Sequence, residues 1–274
     1  MSTKPHTGPS APEGGATGGP VRHRAPAHGA GPQARIATVL YGAAAYVMFV
    51  LVFLYAIGFV TNMVVPRSID NAIEAPLGQA LVIDLALLAL FAVQHSVMAR
   101  PAFKRWWTRF VPVPIERSTY VIAASAALAL LCWQWRSIDT VVWSVGPAPA
   151  RIAVTALGLT GWVIVLASSF MIDHFELFGI RQVMAAWRSK PVHPPGFRTV
   201  LLYRLIRHPL MLGFLIAFWA TPTMTAGHLL FSVATTGYIL IALWFEERDL
   251  VAALGEPYRQ YRARVPMLIP GLGR

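Results

Sequence analysis

A hydrophobic segment with charged ends begins Leu201-Leu-Tyr-Arg-Leu-Ile-Arg-His-Pro209 and continues to Pro270. It contains two apolar stretches, separated by the turn Thr221-Pro-Thr223 and closed by Glu246-Glu-Arg-Asp249. Ionisable groups are costly inside a membrane, so those at the ends of apolar helices are functional candidates by default. The segment therefore predicts a helical hairpin in a bilayer, with polar chemistry where its two charged ends meet.

The Arg-His-Pro sequence indicates where the first helix of this hairpin begins. Proline disfavours helical conformation in the residue before it and is tolerated at a first helical position, so we expect His208 to cap a helix that Pro209 opens. The N–H groups of the first helical turn would then be free to donate hydrogen bonds to a carboxylate. From Pro209 to the Thr221-Pro222 break is about 18 Å of helix, against ~30 Å of hydrocarbon. Either residues 204–207 extend the helix, or His208 lies below the headgroups.

The composition places the chain in a membrane. Of its 274 residues, 56% are hydrophobic and 13% are charged, against about 25% charged residues in an average soluble domain. The net charge of +11 does not predict a nucleic-acid partner, because the basic residues fall in loops between apolar spans and form no basic face interleaved with aromatics. The single cysteine, Cys132, excludes an internal disulfide and a thiolate cluster. The expected partner is the lipid bilayer.

Six apolar spans are predicted, each near the ~20 residues that a membrane helix needs. They cover residues 36–65, 77–98, 118–138, 152–172, 205–221 and 226–247, and the fifth is the shortest. The fold class is therefore all-α and polytopic, with five to six transmembrane helices and a C-terminal helical hairpin. Residues 1–34, rich in Gly, Pro, Ala and His, predict a disordered tail, and residues 35–274 predict a single transmembrane domain.

The distribution of lysine and arginine predicts how the chain is oriented in the membrane. Twenty of the 23 lie in the N-terminal tail, in residues 99–119 and 173–208, and after the last span, whereas three lie in the alternate connections. By the positive-inside rule, both termini and these two loops face the cytoplasm. The Arg-His-Pro turn and the Glu pair are then cytoplasmic as well.

Polar residues on the second span share one helical face. Asp84 and His95 are three helical turns apart, with Gln94 beside His95, and apolar residues fill the rest of the span. This face should point into the bundle, because lipid-facing ionisable groups are so unfavourable. For Asp84 we expect an interhelical hydrogen bond, worth roughly 0.6 kcal/mol.

Two cytoplasmic loops carry polar and aromatic residues together. Arg100-Pro-Ala-Phe-Lys-Arg-Trp-Trp107 predicts an interfacial anchor, with aromatics at headgroup level and cations on anionic lipid. Asp173-His-Phe-Glu-Leu-Phe-Gly-Ile-Arg-Gln182 stands where a span meets the cytosol. It fits either a surface turn or a lid over a small-substrate pocket.

The C-terminal motifs resemble a known family. Arg207-His208-Pro209, a helical hairpin, Glu246-Glu247, Gly-x-x-Tyr-x-x-Tyr and a terminal proline resemble the signature of membrane methyltransferases related to isoprenylcysteine carboxyl methyltransferase and phospholipid methyltransferases. The resemblance implies an S-adenosylmethionine pocket lined by Arg207, His208, Glu246, Glu247, Tyr258 and Tyr261. Many relatives carry a tyrosine two residues after the proline, where this chain has Met211, so no aromatic cofactor contact is expected there.

Upstream motifs narrow the resemblance. Gln94-His-Ser-Val-Met-Ala-Arg-Pro101 and the Asp173–Gln182 segment resemble methanethiol S-methyltransferases, in a wider family that includes NnrU-like proteins. The resemblance implies methyl transfer from S-adenosylmethionine to a small thiol, methanethiol, giving dimethyl sulfide. It favours catalytic roles for Gln94 and His95, and a substrate pocket with His174, Phe178 and Gln182.

The chemistry of a thiol indicates what the site needs. The thiolate is the nucleophile, and a free cysteine thiol loses its proton only near pH ~8.5, so a nearby base would help. His95 is the first candidate for this base, and Glu246 or Glu247 the second. A thiolate and a sulfonium cancel each other's charge in the transition state, which favours a water-poor site.

A haem protein is the alternative. NnrU-like relatives include a haem-containing zeta-carotene isomerase, and two histidines on facing helices, such as His95 with His174 or His208, could ligate haem iron. A non-enzymatic assembly factor for nitrogen-oxide enzymes is a further possibility. No protein metal site is predicted.

Overall fold

The computed structural model describes residues 31–190, 199–269 and 271. Two short strands, β1 (Val141–Ser144) and β2 (Thr223–Thr225), and a 3-10 turn, Leu201–Arg204, accompany the helices. In chain order the helices are α1 (Pro32–Thr61), α2 (Leu77–Ala99), α3 (Pro101–Trp107), α4 (Val113–Gln134), α5 (Ala148–Ile172), α6 (His174–Leu177), α7 (Ile180–Trp187), α8 (Pro209–Trp219), α9 (Ala226–Leu254) and α10 (Glu256–Arg264).

Five helices are long and apolar enough to cross a membrane: α1, α2, α4, α5 and α9. The predicted all-α polytopic class is confirmed. Most of the predicted tail lies outside the described residues. Helix α1 already begins at Pro32, because proline is well suited to a first helical position.

The fifth predicted span is wrong in length. Helix α8 has 11 residues, about 16 Å or half of the ~30 Å hydrocarbon core. Residues 204–207 do not extend it, since Pro209 opens the helix and His208 has the non-helical φ and ψ of −128° and 63°. The predicted cap is therefore correct, and the Arg-His-Pro turn lies part-way along the bundle.

Glycine residues allow the short helix α8 to pack closely against α5. A Cβ added to Gly213 would lie 2.7 Å from the carbonyl oxygen of Gly161, and one added to Gly161 would lie 2.6 Å from that of Gly213. Glycines allow membrane helices to approach this closely, and the close approach maximises van der Waals contact. Glycine at both positions thus fixes where α8, and the turn before it, stand.

One side of the bundle gathers the alternate connections. Val141 of β1 pairs with Thr225 of β2 in an antiparallel ladder, and Ile73 pairs with Arg136 in an isolated bridge. The hydroxyl of Thr225 donates to Asp70 at 2.5 Å. The connections α1–α2, α4–α5 and α8–α9 therefore lie together, as the predicted topology requires.

Asp84 forms a buried hydrogen bond on this side of the bundle. It is fully buried, and its Oδ1 accepts the backbone N–H of Arg136 at 2.9 Å. The core packs nearby: the ring of Trp135 meets the edges of Phe59 and Phe231, with both centroid distances 6.0 Å. The hydrogen-bonding role expected for Asp84 agrees with this geometry.

The opposite side carries the short helices. Gly179, between α6 and α7, has φ +84°, which favours glycine, and a Cβ there would lie 2.8 Å from the Ser118 hydroxyl of α4. A Cβ on Gly42 of α1 would lie 2.6 Å from Val183 of α7. The segment from α6 to α7 is therefore packed onto α1 and α4.

Candidate functional site

The carboxylate of Glu247 is the centre of a buried polar cluster between α8, α9 and α10. Arg207 forms an ion pair with its Oε2, and Arg262 Nε approaches the same oxygen at 3.5 Å. His208 Nε2 lies 2.7 Å from Oε1, and the Tyr258 hydroxyl donates to Oε1 at 2.7 Å. These five residues are the Glu247 cluster. Both oxygens have partners, as a buried charge requires.

Local geometry assembles this cluster. Gly255 has φ +65° and lets the chain turn sharply from α9 into α10. On α10, Tyr258 precedes Tyr261 by three residues and Arg262 by four, so all three lie on neighbouring rows of one face. On the other side of the carboxylate, Arg207 comes from the Arg-His-Pro turn. The segments that the family resemblance had grouped therefore meet at one carboxylate.

The segment after α10 lies alongside the Arg-His-Pro turn. The backbone N–H of Arg207 donates to the Pro266 carbonyl at 2.9 Å, and that of His208 donates to the Met267 carbonyl at 3.1 Å. The hydroxyl of Tyr261 donates to the Tyr203 carbonyl at 2.6 Å. The Glu247 carboxylate thus meets the side chains of the turn, whereas these two amides bond to backbone carbonyls.

Glu246 differs from its neighbour in exposure. Its side chain is 48% exposed against 9% for Glu247, and its Oε2 lies 3.8 Å from His208 Nδ1. Among the described residues, Arg207 Nε is buried without a hydrogen-bond partner. A half-exposed carboxylate therefore stands beside His208, and an unpartnered donor lies buried within the cluster.

The two tyrosines of α10 are neutral donors. Burial raises the pKa of Tyr258, and the bond to Glu247 raises it further. Burial also raises the pKa of Tyr261 to about 12. Both hydroxyls keep their protons at neutral pH, so they can donate continuously.

A second polar region lies at the end of α2. The hydroxyl of Tyr120 on α4 is 3.0 Å from His95 Nε2 and 3.1 Å from Nδ1, and the imidazole stacks on Phe91 at 5.3 Å between centroids. Gln94 Nε2 donates to the Met98 sulfur at 3.1 Å. Gln94 Oε1 is buried and has no partner in the described part of the chain. Gln94, His95 and Tyr120 are the His95 site.

Helix α2 lies against α9 and so connects the two regions. The hydroxyls of Ser96 and Tyr238 are 3.2 Å apart. Arg100 pairs with Asp249 at 2.9 Å, and its guanidinium lies 4.5 Å from the centre of the Phe245 ring. Arg100 therefore fastens the two helix ends together, next to Glu246.

His174 is enclosed rather than open. Its Nε2 lies 2.9 Å from the Tyr46 hydroxyl and its Nδ1 lies 2.9 Å from the Ser169 hydroxyl. Its ring stacks on Phe170 at 4.2 Å between centroids. Burial lowers the pKa of His174, which favours a neutral ring. Nearby, Phe178 stacks on Phe49 of α1 at 3.8 Å.

The start of α6 is held by charge and capping. Asp173 Oδ1 accepts the N–H of Glu176 at 3.0 Å, and Arg181 pairs with Asp173 and with Glu176. Gln182 Oε1 is buried without a partner among the described residues. The segment is thus an ordered wall attached to α1, α4 and α5.

The structure brings some predicted residues together and leaves others apart. Arg207, His208, Glu247 and Tyr258 touch one another, with Glu246 and Tyr261 adjoining. His95 and Gln94 form a separate site, and the described contacts of His174 and Phe178 are with α1 and α5. No group of three or more His, Cys, Asp or Glu within residues 31–190, 199–269 and 271 could hold a metal ion.

Sequence reasoning missed three partners. Arg262, Tyr46 and Tyr120 each bond to a predicted residue. Tyr120 had a usable signal: His95 ends one span and Tyr120 begins the next, so both lie at the same depth. For Tyr46 and Arg262 no comparable pattern existed.

Comparison with known proteins gives the family. The family model described as NnrU protein matches residues 84–257. A methanethiol S-methyltransferase of Mycobacterium tuberculosis is 63% identical over 236 residues, which cover 86% of this chain and 97% of that protein. The chain belongs to the NnrU family and, within it, to the methanethiol S-methyltransferases. The recognition from motifs is confirmed.

Two further relatives are less similar. Methanethiol S-methyltransferase 2 of Bradyrhizobium diazoefficiens is 56% identical, over 87% of this chain and 92% of its own length. Nurim of Mus musculus is 30% identical over 175 residues, which cover 61% of this chain and 66% of that protein. No solved structure matches the chain.

Proposed function

We propose that the protein is an integral-membrane methyltransferase that passes a methyl group from S-adenosylmethionine to methanethiol, giving dimethyl sulfide. The observation that carries this is the 63% identity to a methanethiol S-methyltransferase over 97% of that relative's length. The geometry adds support, because Arg207, His208, Glu247 and Tyr258 form one contact cluster as the family resemblance predicted.

The residues of the Glu247 cluster fit S-adenosylmethionine. This cofactor carries an ammonium, a carboxylate and ribose hydroxyls. The half-exposed carboxylate of Glu246 suits the ammonium or a hydroxyl, and the unpartnered Nε of Arg207 suits the carboxylate. Bound here, the cofactor would supply a methyl group on a sulfonium sulfur.

Two kinds of role follow within the cluster. Arg207, His208 and Glu246 would contact the cofactor. Glu247 is bonded on both oxygens to protein groups, so it positions Arg207 and His208, and Tyr258 and Tyr261 complete the frame from α10. Glu247 is therefore less suited to be the base than the sequence alone suggested.

The His95 site fits the thiol. His95 accepts the proton of the thiol at a ring nitrogen, and the sulfur lone pair becomes the nucleophile. Tyr120 orients the imidazole through its hydroxyl, and the unpartnered Oε1 of Gln94 can accept the S–H before transfer. A positioned base of this kind contributes typically 10²–10⁴-fold in rate.

The segment from α6 to α7 forms one wall of the thiol pocket in this proposal. Phe178 and Gln182 face the substrate, and His174 holds the wall to α1 and α5. His174 is an unsuitable base, since each ring nitrogen is bonded to a separate hydroxyl, whereas His95 shares a single hydroxyl that can bond only one of its nitrogens at a time. We therefore assign it a positioning role.

The proposed orientation places both termini and the cofactor site in the cytoplasm. It is supported by the distribution of Lys and Arg, and by the grouping of the basic loops on the side of the short helices. Epitope tags at residue 10 and at Arg274 should be accessible only from the cytoplasm, and a tag near Ala72 only from outside. An external C-terminus would contradict the proposal, because the cofactor is made in the cytosol.

No observation favours the haem alternative. Ligation of haem iron by two facing histidines needs a free ring nitrogen on each. Both nitrogens of His174 have hydroxyl partners, and the two nitrogens of His208 face the carboxylates of Glu246 and Glu247. A visible spectrum of the purified protein should show no haem absorption band, and such a band in stoichiometric amount would support the alternative.

A reconstitution assay tests the proposed function. Purified protein in detergent, given S-adenosylmethionine and methanethiol, should release dimethyl sulfide into the headspace together with one S-adenosylhomocysteine per turnover. Omission of either reactant is the control. If the protein methylated no small thiol, the function proposed here would be wrong.

A further inference from the structure

Arg117, in the first turns of α4, is a partly buried cation without a carboxylate partner. Among the residues that the structure describes, it has neither an ion pair nor a side-chain hydrogen bond. Buried charges are almost always paired, because desolvation of an unpaired one is costly. Arg117 therefore has bonding capacity that the protein itself does not use.

Arg117 lies one helical turn from the His95 site. It precedes Tyr120 by three residues on α4, so the two side chains share one face. Tyr120 bonds to His95 at 3.0 Å. This placement brings the guanidinium close enough for its charge to act on the imidazole and on the tyrosine hydroxyl.

The packing around Arg117 brings it close to both predicted parts of the thiol pocket. A Cβ added to Gly179 would lie 3.3 Å from the carbonyl carbon of Arg117, so the α6–α7 segment touches α4 at this residue. Arg117 also acts on Glu176 of α6. Arg117 is thus one helical turn from Tyr120, the partner of His95, and its backbone contacts the segment that carries Phe178 and Gln182.

The charges around this point leave a positive field at the imidazole. Lys104 of α3 adds a second cation, and burial, with the charge of Arg117, lowers its pKa. Glu116 acts on Lys104 and Tyr120, while Glu176 is already paired with Arg181 at 3.5 Å. The neutral hydroxyl of Tyr238 faces the same helix end from α9.

We propose that Arg117 is the anion-binding residue of the thiol site, where its guanidinium holds the methanethiolate sulfur beside His95. This assignment rests on the proposed function. A cation next to a thiol favours the thiolate, as it does for reactive cysteines. The same charge disfavours a protonated His95, so the base is neutral when the thiol arrives. The thiol proton passes to His95 and then to solvent, driven out by the adjacent guanidinium.

The test compares three variants. Arg117→Gln removes the charge, Arg117→Lys keeps it in another shape, and Arg109→Gln removes an exposed arginine of the same cytoplasmic loop as the control. For each protein, kcat and KM for methanethiol are measured from about pH 6 to about pH 9.5, the range in which a thiol titrates. Affinity for S-adenosylmethionine is measured by calorimetry in detergent.

The expected result is specific to thiolate binding. Arg117→Gln should lower kcat/KM for methanethiol about tenfold at neutral pH and move the rising limb of its pH profile up by about one unit. The loss should shrink at high pH, where solution supplies the thiolate, and Arg117→Lys should lie between it and the wild type. Cofactor affinity and the Arg109→Gln profile should match the wild type.

Thiocyanate provides a second readout. As a small monovalent anion with a sulfur end, it should inhibit competitively with methanethiol, and its inhibition constant should rise about tenfold in Arg117→Gln. A variant with the wild-type pH profile and thiocyanate inhibition would overturn the assignment. Equal loss of cofactor affinity would overturn it too, because it would indicate a structural role. Failure of the proposed function would instead be visible in the wild type as an absence of thiol methylation.

Discussion

The Glu247 cluster and the His95 site differ in how completely their polar groups are bonded. Both oxygens of Glu247 accept bonds from side chains on either side of the hairpin. At the His95 site, Gln94 Oε1 is buried without a partner and Arg117 has no ion pair, within the described part of the chain. In the first region the central carboxylate is fully bonded and Arg207 Nε is the described group that lacks a partner, whereas in the second region the groups beside the imidazole keep bonding capacity for a ligand.

The difference has energetic consequences. Removing one partner of a buried ion pair is strongly destabilising, by about 3–5 kcal/mol, because the other charge is left buried. A single unsatisfied amide oxygen costs only about 1–3 kcal/mol. Substitutions in the Glu247 cluster should therefore affect folding and cofactor binding together, and substitutions at the His95 site should affect the rate.

The largest effect is expected for Glu247→Gln. It leaves Arg207 and His208 buried without an anion, so the protein should lose about 3–5 kcal/mol of stability and its cofactor affinity. Thermal unfolding in detergent measures the first and calorimetry the second. The control is Glu246→Gln, whose side chain is 48% exposed and whose melting temperature should stay close to wild type. Equal destabilisation by both variants would remove the distinction between the two glutamates.

The next effect concerns the rate alone. His95→Ala should cut the methylation rate 10²–10⁴-fold, the usual contribution of a general base. Raising the pH should partly restore activity, because solution then supplies thiolate. Ser96→Ala, at the same helix end, is the control and should retain most activity. A His95→Ala enzyme with wild-type turnover in the headspace assay would make His95 a packing residue.

A smaller effect tests the close packing of α8 against α5. Gly213→Ala places a Cβ 2.7 Å from the Gly161 carbonyl oxygen, so overpacking should cost about 1–3 kcal/mol and weaken cofactor binding by displacing His208. Gly237→Ala is the matched control, since a Cβ there meets nothing within 4 Å. Its alanine should be neutral or slightly stabilising. If both variants melted alike, close α5–α8 contact would not position the turn.

The smallest effect depends on pH. Burial lowers the pKa of His174, so its neutral form stabilises the protein fully above the unfolded value of about 6.5. This contribution should be lost as the pH falls below that value toward the folded pKa. The melting temperature of the wild type should therefore drop more steeply in acid than that of His174→Gln, which keeps hydrogen-bonding atoms but does not titrate. Parallel pH curves for both proteins would argue against a buried neutral ring.

Local rules predicted much of this architecture from sequence. Apolar length identified the five long helices, and proline chemistry placed the start of α8 at Pro209 with His208 as its cap. The predicted length of the fifth span was wrong because the apolar sequence begins at Leu205 and Ile206, where the backbone has not yet entered the helix. Hydropathy reports only how apolar the side chains are, whereas the proline determines where the helical backbone begins.

The candidate site likewise contains some contacts that the sequence predicted and others that it could not predict. The residues that the resemblance grouped, Arg207, His208, Glu247 and Tyr258, contact one another, and they come from the C-terminal hairpin and the helix after it. The partners Tyr120 and Tyr46 come from other helices, and only packing between helices brings them to His95 and His174. The spacing of residues along the sequence does not predict these distances between side chains on different helices. It likewise could not show that Glu247 is enclosed while Glu246 is exposed.

Calorimetric titration of S-adenosylmethionine into two variants tests the division between the regions most directly. His208→Ala removes a cluster side chain and should abolish measurable binding, whereas His95→Ala should bind with nearly wild-type affinity although its methylation rate is low. Wild-type protein and Arg259→Gln, an exposed α10 variant, provide the references. If His95→Ala lost as much affinity as His208→Ala, or if His208→Ala bound as the wild type does, the assignment of cofactor to one region and thiol to the other would be contradicted.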